Sequence, residues 1–199
     1  MRKSLNFQYP DISLFKQKLL EWAKSFEHFI LLDSHDFNDQ VQHAGYDFLA
    51  AFGTMDYVIS YDDANGFSEF ASFAKSKQDW LFGYFGYDLQ DGAKRVSSQN
   101  LDTLVFPSLF FFQPRYIITC RQDMMKLEYP GSDHTPSEAR RFLQDILDLE
   151  PDLTDRSTFT GLQHRLTRED YIERVQHLKE HIQRGDIYEV NFCQEFYSV

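Results

Sequence analysis

The chain has 199 residues, with 31 acidic and 20 basic side chains, and therefore a formal net charge of −11. This acidic balance argues against nucleic acids and anionic membranes as partners, because both need basic surface to displace their counterions. Hydrophobic residues make up 42% and aromatic residues 17% of the chain, so the composition predicts a folded protein with a sizeable core rather than a disordered one.

Cysteine use and targeting signals indicate the compartment. Cys120 and Cys193 lie far apart and outside any C-x-x-C pattern. A disulfide framework or a thiolate zinc site is therefore not expected, and a reducing compartment fits better. The N-terminus lacks the apolar run of a signal peptide, and no window approaches the roughly 18 apolar residues of a membrane span. We therefore expect a cytoplasmic protein.

The first part of the chain carries helix and strand patterns in turn. Apolar residues spaced three and four positions apart predict a helix over residues 11–26. A short apolar run at 29–32 predicts a buried strand that leads into a polar loop. The next predicted elements are a strand at 48–52, a second strand at 55–61 after a break at Gly53, and a short helix at 67–75.

Further along, glycines and capping residues mark the boundaries. Residues 80–89 are β-prone but contain Gly83 and Gly86, and glycine inside a strand usually marks a bulge or a close backbone approach. Thr135, Pro136 and Glu138 predict a capped helix that ends near residue 149. The remaining predicted elements are a hairpin of 109–120 and 125–129, a helix from Thr167 to a Gly185 cap, and a strand at 187–199.

Together these elements predict an α+β fold with antiparallel sheets and flanking helices. We expect residues 1–155 to form an N-terminal domain and residues 156–199 to form a linker and the first helix and strand of a second domain. A long apolar strand at 187–199 with no following partner would be an aggregation-prone edge. The sequence therefore predicts a chain truncated inside its second domain.

One segment near the end carries a family resemblance. Residues 183–196 read QRGDIYEVNFCQEF. They resemble the signature that opens the chorismate-binding domain in component I of aminodeoxychorismate synthase and anthranilate synthase. Residues 31–34 (LLDS) are similar to the L-L-E-S element of that family, and residues 82–89 (FGYFGYDL) to its G-Y-x-x-Y-D-L element. The resemblance implies an anthranilate synthase component I-like fold, truncated in its catalytic domain.

The resemblance implies that chorismate is aminated with ammonia from a glutamine amidotransferase subunit, with Mg²⁺ as cofactor. Isochorismate and salicylate synthases carry a lysine at the position of Glu189, where it acts as base on water. An acidic side chain cannot replace that lysine, so the water-adding branch is disfavoured. Ammonia-using relatives usually have Gln there, from which Glu189 also departs. Asn191, in place of the Val of anthranilate synthases, favours the para-aminobenzoate branch, which makes 4-amino-4-deoxychorismate for folate synthesis.

Candidate site residues follow from the same segments. On a strand, Glu189 and Asn191 would face one side, and we expect them to border the substrate cleft. The resemblance implies that Leu32, Asp33 and Ser34 line a tryptophan pocket in which the carboxylate meets the ammonium group of the ligand. The nucleophilic lysine of P-I-K-G-T and the glutamate metal ligands of the family do not occur in residues 1–199. Catalytic residues are therefore expected further on, and this chain alone is predicted to be inactive.

Three alternatives stay open. Anthranilate synthase component I is the nearest, because it shares the same motifs. A non-catalytic interaction module would use exposed aromatic surface. A zinc peptidase is the third hypothesis, since His177, Glu180 and His181 match the H-x-x-E-H pattern and set two imidazoles one helical turn apart. Against it, the apolar stripe of this helix leaves both histidines at its edge.

Overall fold

The computed structural model describes residues 1–35, 45–61, 65–87, 89, 104–121, 124–132, 135–152 and 161–198. The chain divides into two compact units, Met1–Pro151 and Asp152–Val199, called here the first and second units. The predicted boundary between residues 155 and 156 lies outside the described residues. In chain order the first unit forms β1 (Arg2–Phe7), α1 (Ile12–Ala23), β2 (Phe29–Asp33), β3 (Phe48–Ser60), α2 (Gly66–Lys77), β4 (Phe82–Phe85), β5 (Leu109–Arg121), β6 (Met124–Pro130) and α3 (Pro136–Asp148).

An antiparallel sheet organises the first unit, with strand order β1-β6-β5-β3-β2 and with β4 paired to the start of β5. β5 pairs with β3 along almost its whole length. Residues 116–120 of β5 are all buried, because Tyr116, Ile118 and Cys120 belong to the larger core and Ile117 belongs to a second apolar cluster. This sheet and its flanking helices confirm the predicted α+β fold class.

Helices α1 and α3 pack on one face of the sheet, where they form the larger core. Phe142 of α3 stacks on Tyr116 of β5 with 3.8 Å between ring centroids. Lys18 of α1 donates a hydrogen bond of 2.5 Å to the Leu147 carbonyl, so a cation satisfies the C-terminal end of α3. The fully buried members of this core are Phe15, Leu19, Ala50, Phe52, Ile118, Cys120, Met125, Leu127, Ala139 and Ile146.

The ends of α1 and α3 follow their predicted signals. Thr135 accepts a hydrogen bond from the Glu138 amide, and the Glu138 carboxylate accepts one from the Thr135 amide. This capping box confirms the predicted start of α3. The Asp11 side chain accepts from the Leu14 amide at the start of α1. Both predicted helices are confirmed, although α1 ends at Ala23, three residues before the predicted end at 26.

The predicted break between two strands at Gly53 is wrong, because β3 is a single strand of 13 residues. Gly53 has a φ of +66°, and the register with β5 shifts between Thr54 and Asp56. The shift is a β-bulge, in which one extra residue is accommodated while the ladder continues on both sides. Glycine supplies the backbone conformation that the irregularity needs.

The predicted close approach at Gly83 is confirmed. Gly83 lies opposite Phe111 in the β4–β5 pair. A Cβ atom at this position would lie 1.9 Å from the Phe110 carbonyl oxygen and 2.6 Å from the Phe111 Cα atom. Only a residue without a side chain therefore lets β4 reach its hydrogen-bonding distance from β5.

The second unit contains β7 (Gln163–His164), α4 (Arg168–Arg184) and β8 (Phe196–Tyr197). Thr167 accepts from the Asp170 amide at the start of α4. Gly185, with a φ of +82°, ends the helix in the left-handed conformation. Both caps are as predicted. No residue of α4 is buried.

The predicted strand at 187–199 is wrong over most of its length. Only Phe196–Tyr197 is a strand, paired antiparallel with Gln163–His164. Residues 187–195 have no strand partner among the residues that the structure describes, and β-prone composition does not make a strand without a ladder of hydrogen bonds. Residue 199 lies outside the described residues. No helix in the described ranges is both long and apolar enough to cross a lipid bilayer.

Candidate functional site

The segment after α4 packs against that helix through alternate side chains. The Tyr171 ring of α4 stacks on Phe192 with 5.2 Å between centroids, and its hydroxyl donates to the Phe192 carbonyl at 3.3 Å. Val190 and Phe192 line a cavity of about 680 Å³ together with one side of α4. Residues 187–191 are nevertheless all exposed, and half-buried side chains alternate with exposed ones only over residues 192–195.

Glu189 and Asn191 flank Val190 along the chain and are exposed, as are Val190 itself and Cys193. Neither Glu189 nor Asn191 lines the cavity against α4. An exposed row that carries a carboxylate and an amide can accept and donate hydrogen bonds to a polar ligand. Their role at a substrate cleft stays a prediction.

A polar cluster holds the turn between α4 and this segment. His181 Nδ1 lies 2.7 Å from Asp186 Oδ2, and Arg184 Nη2 lies 3.1 Å from the same oxygen. The Asp186 amide also donates to the His181 carbonyl at 3.0 Å. The guanidinium of Arg184 at the helix C-terminus interacts favourably with the helix dipole. The cluster therefore fixes how the chain leaves α4 toward Glu189.

The residues Leu32, Asp33 and Ser34 come together at the end of β2. They line a cavity of about 300 Å³, at the small end of the range for ligand pockets. The other described lining residues are Gly45, Tyr46, Phe48 and Leu49. The structure thus brings the three predicted pocket residues to one cavity.

The pleat of β2 divides these three residues between the faces of the sheet. Leu32 pairs with Leu49 and is 53% exposed. Asp33 pairs with Phe48, whose ring belongs to the core under α1, so the Asp33 carboxylate lies on the α1 side. The Ser34 amide and hydroxyl both donate to the Asp47 carbonyl at 2.9 Å.

The Asp33 carboxylate already has a cationic partner. Its Oδ1 atom accepts from Lys16 Nζ at 2.8 Å and from the His35 amide at 3.1 Å. Burial of this carboxyl raises its pKa, but the hydrogen bonds from Lys16 and His35 and their positive charges outweigh burial, so the pKa lies below its ordinary value. Asp33 therefore stays ionised at neutral pH.

Sequence patterns did not point to Lys16. It lies on α1, 17 residues before Asp33, and a lysine between apolar helix positions is ordinary for a solvent-facing side. Only the packing of α1 across the end of β2 brings the ammonium group to the carboxylate. The nearest available signal was that Lys16 follows Phe15, a core residue, along the helix.

Comparison with known families decides the broad identity. The model of the chorismate binding enzyme family matches residues 27–198, which span most of both units. The chain belongs to the chorismate binding enzyme family. No curated protein matches the chain. As a chorismate binding enzyme, it is part of a family that converts chorismate, which supports the predicted substrate and the assignment to an enzyme family.

A metal site in this chorismate binding enzyme would need several ligand side chains grouped around one point. Within the described ranges, no group of three or more His, Cys, Asp or Glu side chains is placed to hold a metal ion. His177 and His181 lie close, with 4.7 Å between ring centroids, and His181 Nδ1 is hydrogen-bonded to Asp186. Two imidazoles without a third grouped ligand in the described ranges do not complete the zinc site of the peptidase hypothesis.

Proposed function

We propose that this chorismate binding enzyme is component I of aminodeoxychorismate synthase. In the complete enzyme it would replace the 4-hydroxyl group of chorismate with ammonia, giving 4-amino-4-deoxychorismate. The observation that carries the proposal is the segment after the Gly185 cap, where Asn191 is exposed beside Glu189. Asn191 distinguishes this segment from the Val-bearing anthranilate synthases that it resembles.

Glu189 supports amination over hydration of chorismate. The family members that add water use a lysine at this position as the base. An ionised carboxylate carries a negative charge and accepts hydrogen bonds, so Glu189 is suited to hold an ammonium ion, which a lysine at this position would repel. An acid is still needed to help the hydroxyl group leave, and no described residue is assigned to that role.

The proposed reaction also needs a source of ammonia and a metal cofactor. A glutamine amidotransferase subunit would supply ammonia, and Mg²⁺ would serve the complete enzyme. The described residues include no group of three or more potential metal ligands, so the ligands for Mg²⁺ are expected in the rest of the complete enzyme. We also expect no turnover from this chain alone, since the P-I-K-G-T lysine of the para branch is not among its residues.

The test compares two proteins. One is the 199-residue chain, and the other is expressed from the natural gene, including any coding sequence that follows the codon for Val199. Each is incubated with chorismate, ammonium and Mg²⁺, and the products are separated by liquid chromatography with mass detection. We expect 4-amino-4-deoxychorismate only from the second protein. Anthranilate as product, or turnover by the 199-residue chain, would contradict the proposal.

Two substitutions are made in the protein expressed from the natural gene and are tested in the same assay. Glu189→Gln introduces the usual residue of the ammonia-using relatives and is expected to retain amination. Asn191→Val is expected to lower amination, because it removes an amide from the exposed row. Gln183→Leu is the matched control, since it also removes an exposed amide, but from α4 rather than from this row. Equal effects of Asn191→Val and Gln183→Leu would remove Asn191 from the substrate cleft.

We also propose that the cavity at the end of β2 binds tryptophan. The support is the meeting of Leu32, Asp33 and Ser34 around one cavity with aromatic and aliphatic walls. Isothermal titration of the chain with L-tryptophan tests this proposal without any need for amination activity. Saturable binding that is lost in Ser34→Trp, which fills the cavity, supports the site. The absence of saturable binding contradicts it.

A further inference from the structure

We propose that Lys16 is a specificity-determining residue of the cavity at the end of β2, because its ammonium group occupies Asp33 and so weakens binding of ligands that carry an α-ammonium group. This inference rests on the tryptophan site proposed above and names the residue that limits the affinity of that site for amino acids. It predicts that the ring of the ligand provides most of the binding free energy and that the amino group adds little to the affinity.

The surroundings of Lys16 Nζ resemble what a protein offers to an ammonium ligand. The atom lies 2.8 Å from Asp33 Oδ1 and 5.7 Å from the centroid of the Phe48 ring. A carboxylate and an aromatic face are the two groups that bind ammonium most favourably. Both side chains of the ion pair are only 20% exposed, so water screens the interaction less than it screens a surface pair.

A ligand would have to share or break this pair. Asp33 is the only carboxylate among the described residues that line the cavity. With Lys16 in place, an incoming ammonium group meets a neutralised pair and a second positive charge nearby, which disfavours another cation. The position of Asp33 on the α1 side of the sheet directs its carboxylate toward Lys16.

A purely structural role makes a different prediction. If the pair only joins β2 to α1, then loss of Lys16 lowers stability and leaves ligand preference unchanged. If Lys16 competes with the ligand, its loss changes preference between two ligands that differ only in the amino group. L-tryptophan and indole-3-propionate are such a pair, since they share the indole ring and the carboxylate.

The experiment measures binding of both compounds by isothermal titration. We expect the unchanged chain to bind them with similar affinity. In Lys16→Met, which keeps the length of the side chain and removes the charge, L-tryptophan should bind about tenfold more tightly. The affinity for indole-3-propionate should stay within about twofold, because its contacts do not involve Asp33.

Three further variants provide controls. Lys24→Met removes a lysine just past the end of α1 that pairs with Glu21 and is 62% exposed, and it should change neither affinity. Lys16→Arg keeps the cation and should keep the original preference. In an Asp33→Asn background, Lys16→Met should no longer favour L-tryptophan, because the shared carboxylate is gone. Circular dichroism verifies folding, and Lys16→Gln replaces Lys16→Met should the latter unfold.

Two results would overturn the inference: equal changes for both ligands in Lys16→Met, or a tenfold preference of the unchanged chain for L-tryptophan. Absence of binding of either compound to every variant would overturn the tryptophan site together with this inference. Amination is assayed separately and without tryptophan. A failure of the chorismate proposal is therefore distinguishable from a failure of the role of Lys16.

Discussion

The two units of this chorismate binding enzyme bury their apolar side chains to different extents. In the first unit, Phe15, Leu19 and Ile118 are completely buried between helices and sheet. In the second unit, α4 has no buried residue, and Ile172 and Ile182 are each 38% exposed. Helices in proteins gain most of their stability from packing of an apolar face. The first unit therefore has a closed core, whereas α4 depends mainly on its caps and on local contacts.

The largest expected effect tests the closest approach in the first unit. Gly83→Ala places a methyl group 1.9 Å from the Phe110 carbonyl oxygen, so β4 must leave the sheet. We expect a loss of about 4 kcal/mol in the free energy of unfolding, measured by urea denaturation. Gly45→Ala is the control, because no atom of the described residues lies within 4 Å of its added Cβ. A loss below about 1 kcal/mol in Gly83→Ala would show that β4 is not held as described.

The second prediction compares how much stability each unit loses when one apolar side chain is shortened to alanine. Phe142→Ala removes a ring that is 7% exposed and stacked on Tyr116, and should cost about 3 kcal/mol. Ile182→Ala in α4 should cost less than about 1 kcal/mol, since the side chain is already partly in water. Similar losses for the two variants, measured by thermal unfolding, would abolish the distinction between a closed core and an open helix.

A third prediction concerns an ion pair that joins β1 to the connection between α2 and β4. Asp79 accepts from Arg2 Nε at 2.8 Å and from Gln113 Nε2 at 2.8 Å. Burial raises the pKa of Asp79, but these hydrogen bonds and that of the Trp80 amide outweigh it and lower the pKa. The stabilisation is therefore present above the unfolded-state pKa of about 3.9 and is lost as the pH falls through the lower folded-state value.

Asp79→Asn tests this pH dependence. The variant should be less stable than the unchanged chain at pH 7, by about 1–3 kcal/mol. The difference should shrink as the pH falls below about 4, where Asp79 of the unfolded chain takes up a proton, and should vanish once the folded-state carboxylate is protonated as well. Asp145→Asn, at an exposed position of α3, serves as control. A difference that is constant from pH 7 to pH 3 would mean that the charge of Asp79 does not contribute.

The smallest expected effect uses matching caps in the two units. Thr135→Ala and Thr167→Ala each remove a hydrogen bond to a backbone amide, worth about 1 kcal/mol. Trp22 and Trp80 both lie in the first unit, so tryptophan fluorescence reports its unfolding. Thr135→Ala should lower the fluorescence midpoint in urea, whereas Thr167→Ala should reduce only the helical circular dichroism signal. A shift of the fluorescence midpoint by Thr167→Ala would indicate that the units unfold together.

Local signals explain which elements were predictable. The capping box at Thr135, the left-handed glycine at Gly185 and the close approach at Gly83 each involve residues within a few positions or a steric limit set by glycine itself. Such signals act in any fold. The hairpin of β5 and β6 was also predictable, because its two apolar runs are separated by a short turn.

Elements that depend on distant partners were not predictable. No sequence pattern indicated β1, whose partner β6 lies more than a hundred residues further along the chain. The continuity of β3 across Gly53 depends on β5, which accommodates the bulge. The expected strand at 187–199 failed for the same reason, since its β-prone residues meet described partners only at Phe196–Tyr197.

The amino-acid sequence by itself determined the α+β class, the main helices with their caps, and the motif that resembles chorismate-aminating enzymes, because each of these is written in neighbouring residues. Tertiary structure alone decided that β3 is one strand and that Lys16 holds Asp33. An ion pair between residues 17 positions apart forms only after a helix has packed across a strand end, and this packing is the sum of many weak contacts that no single segment contains.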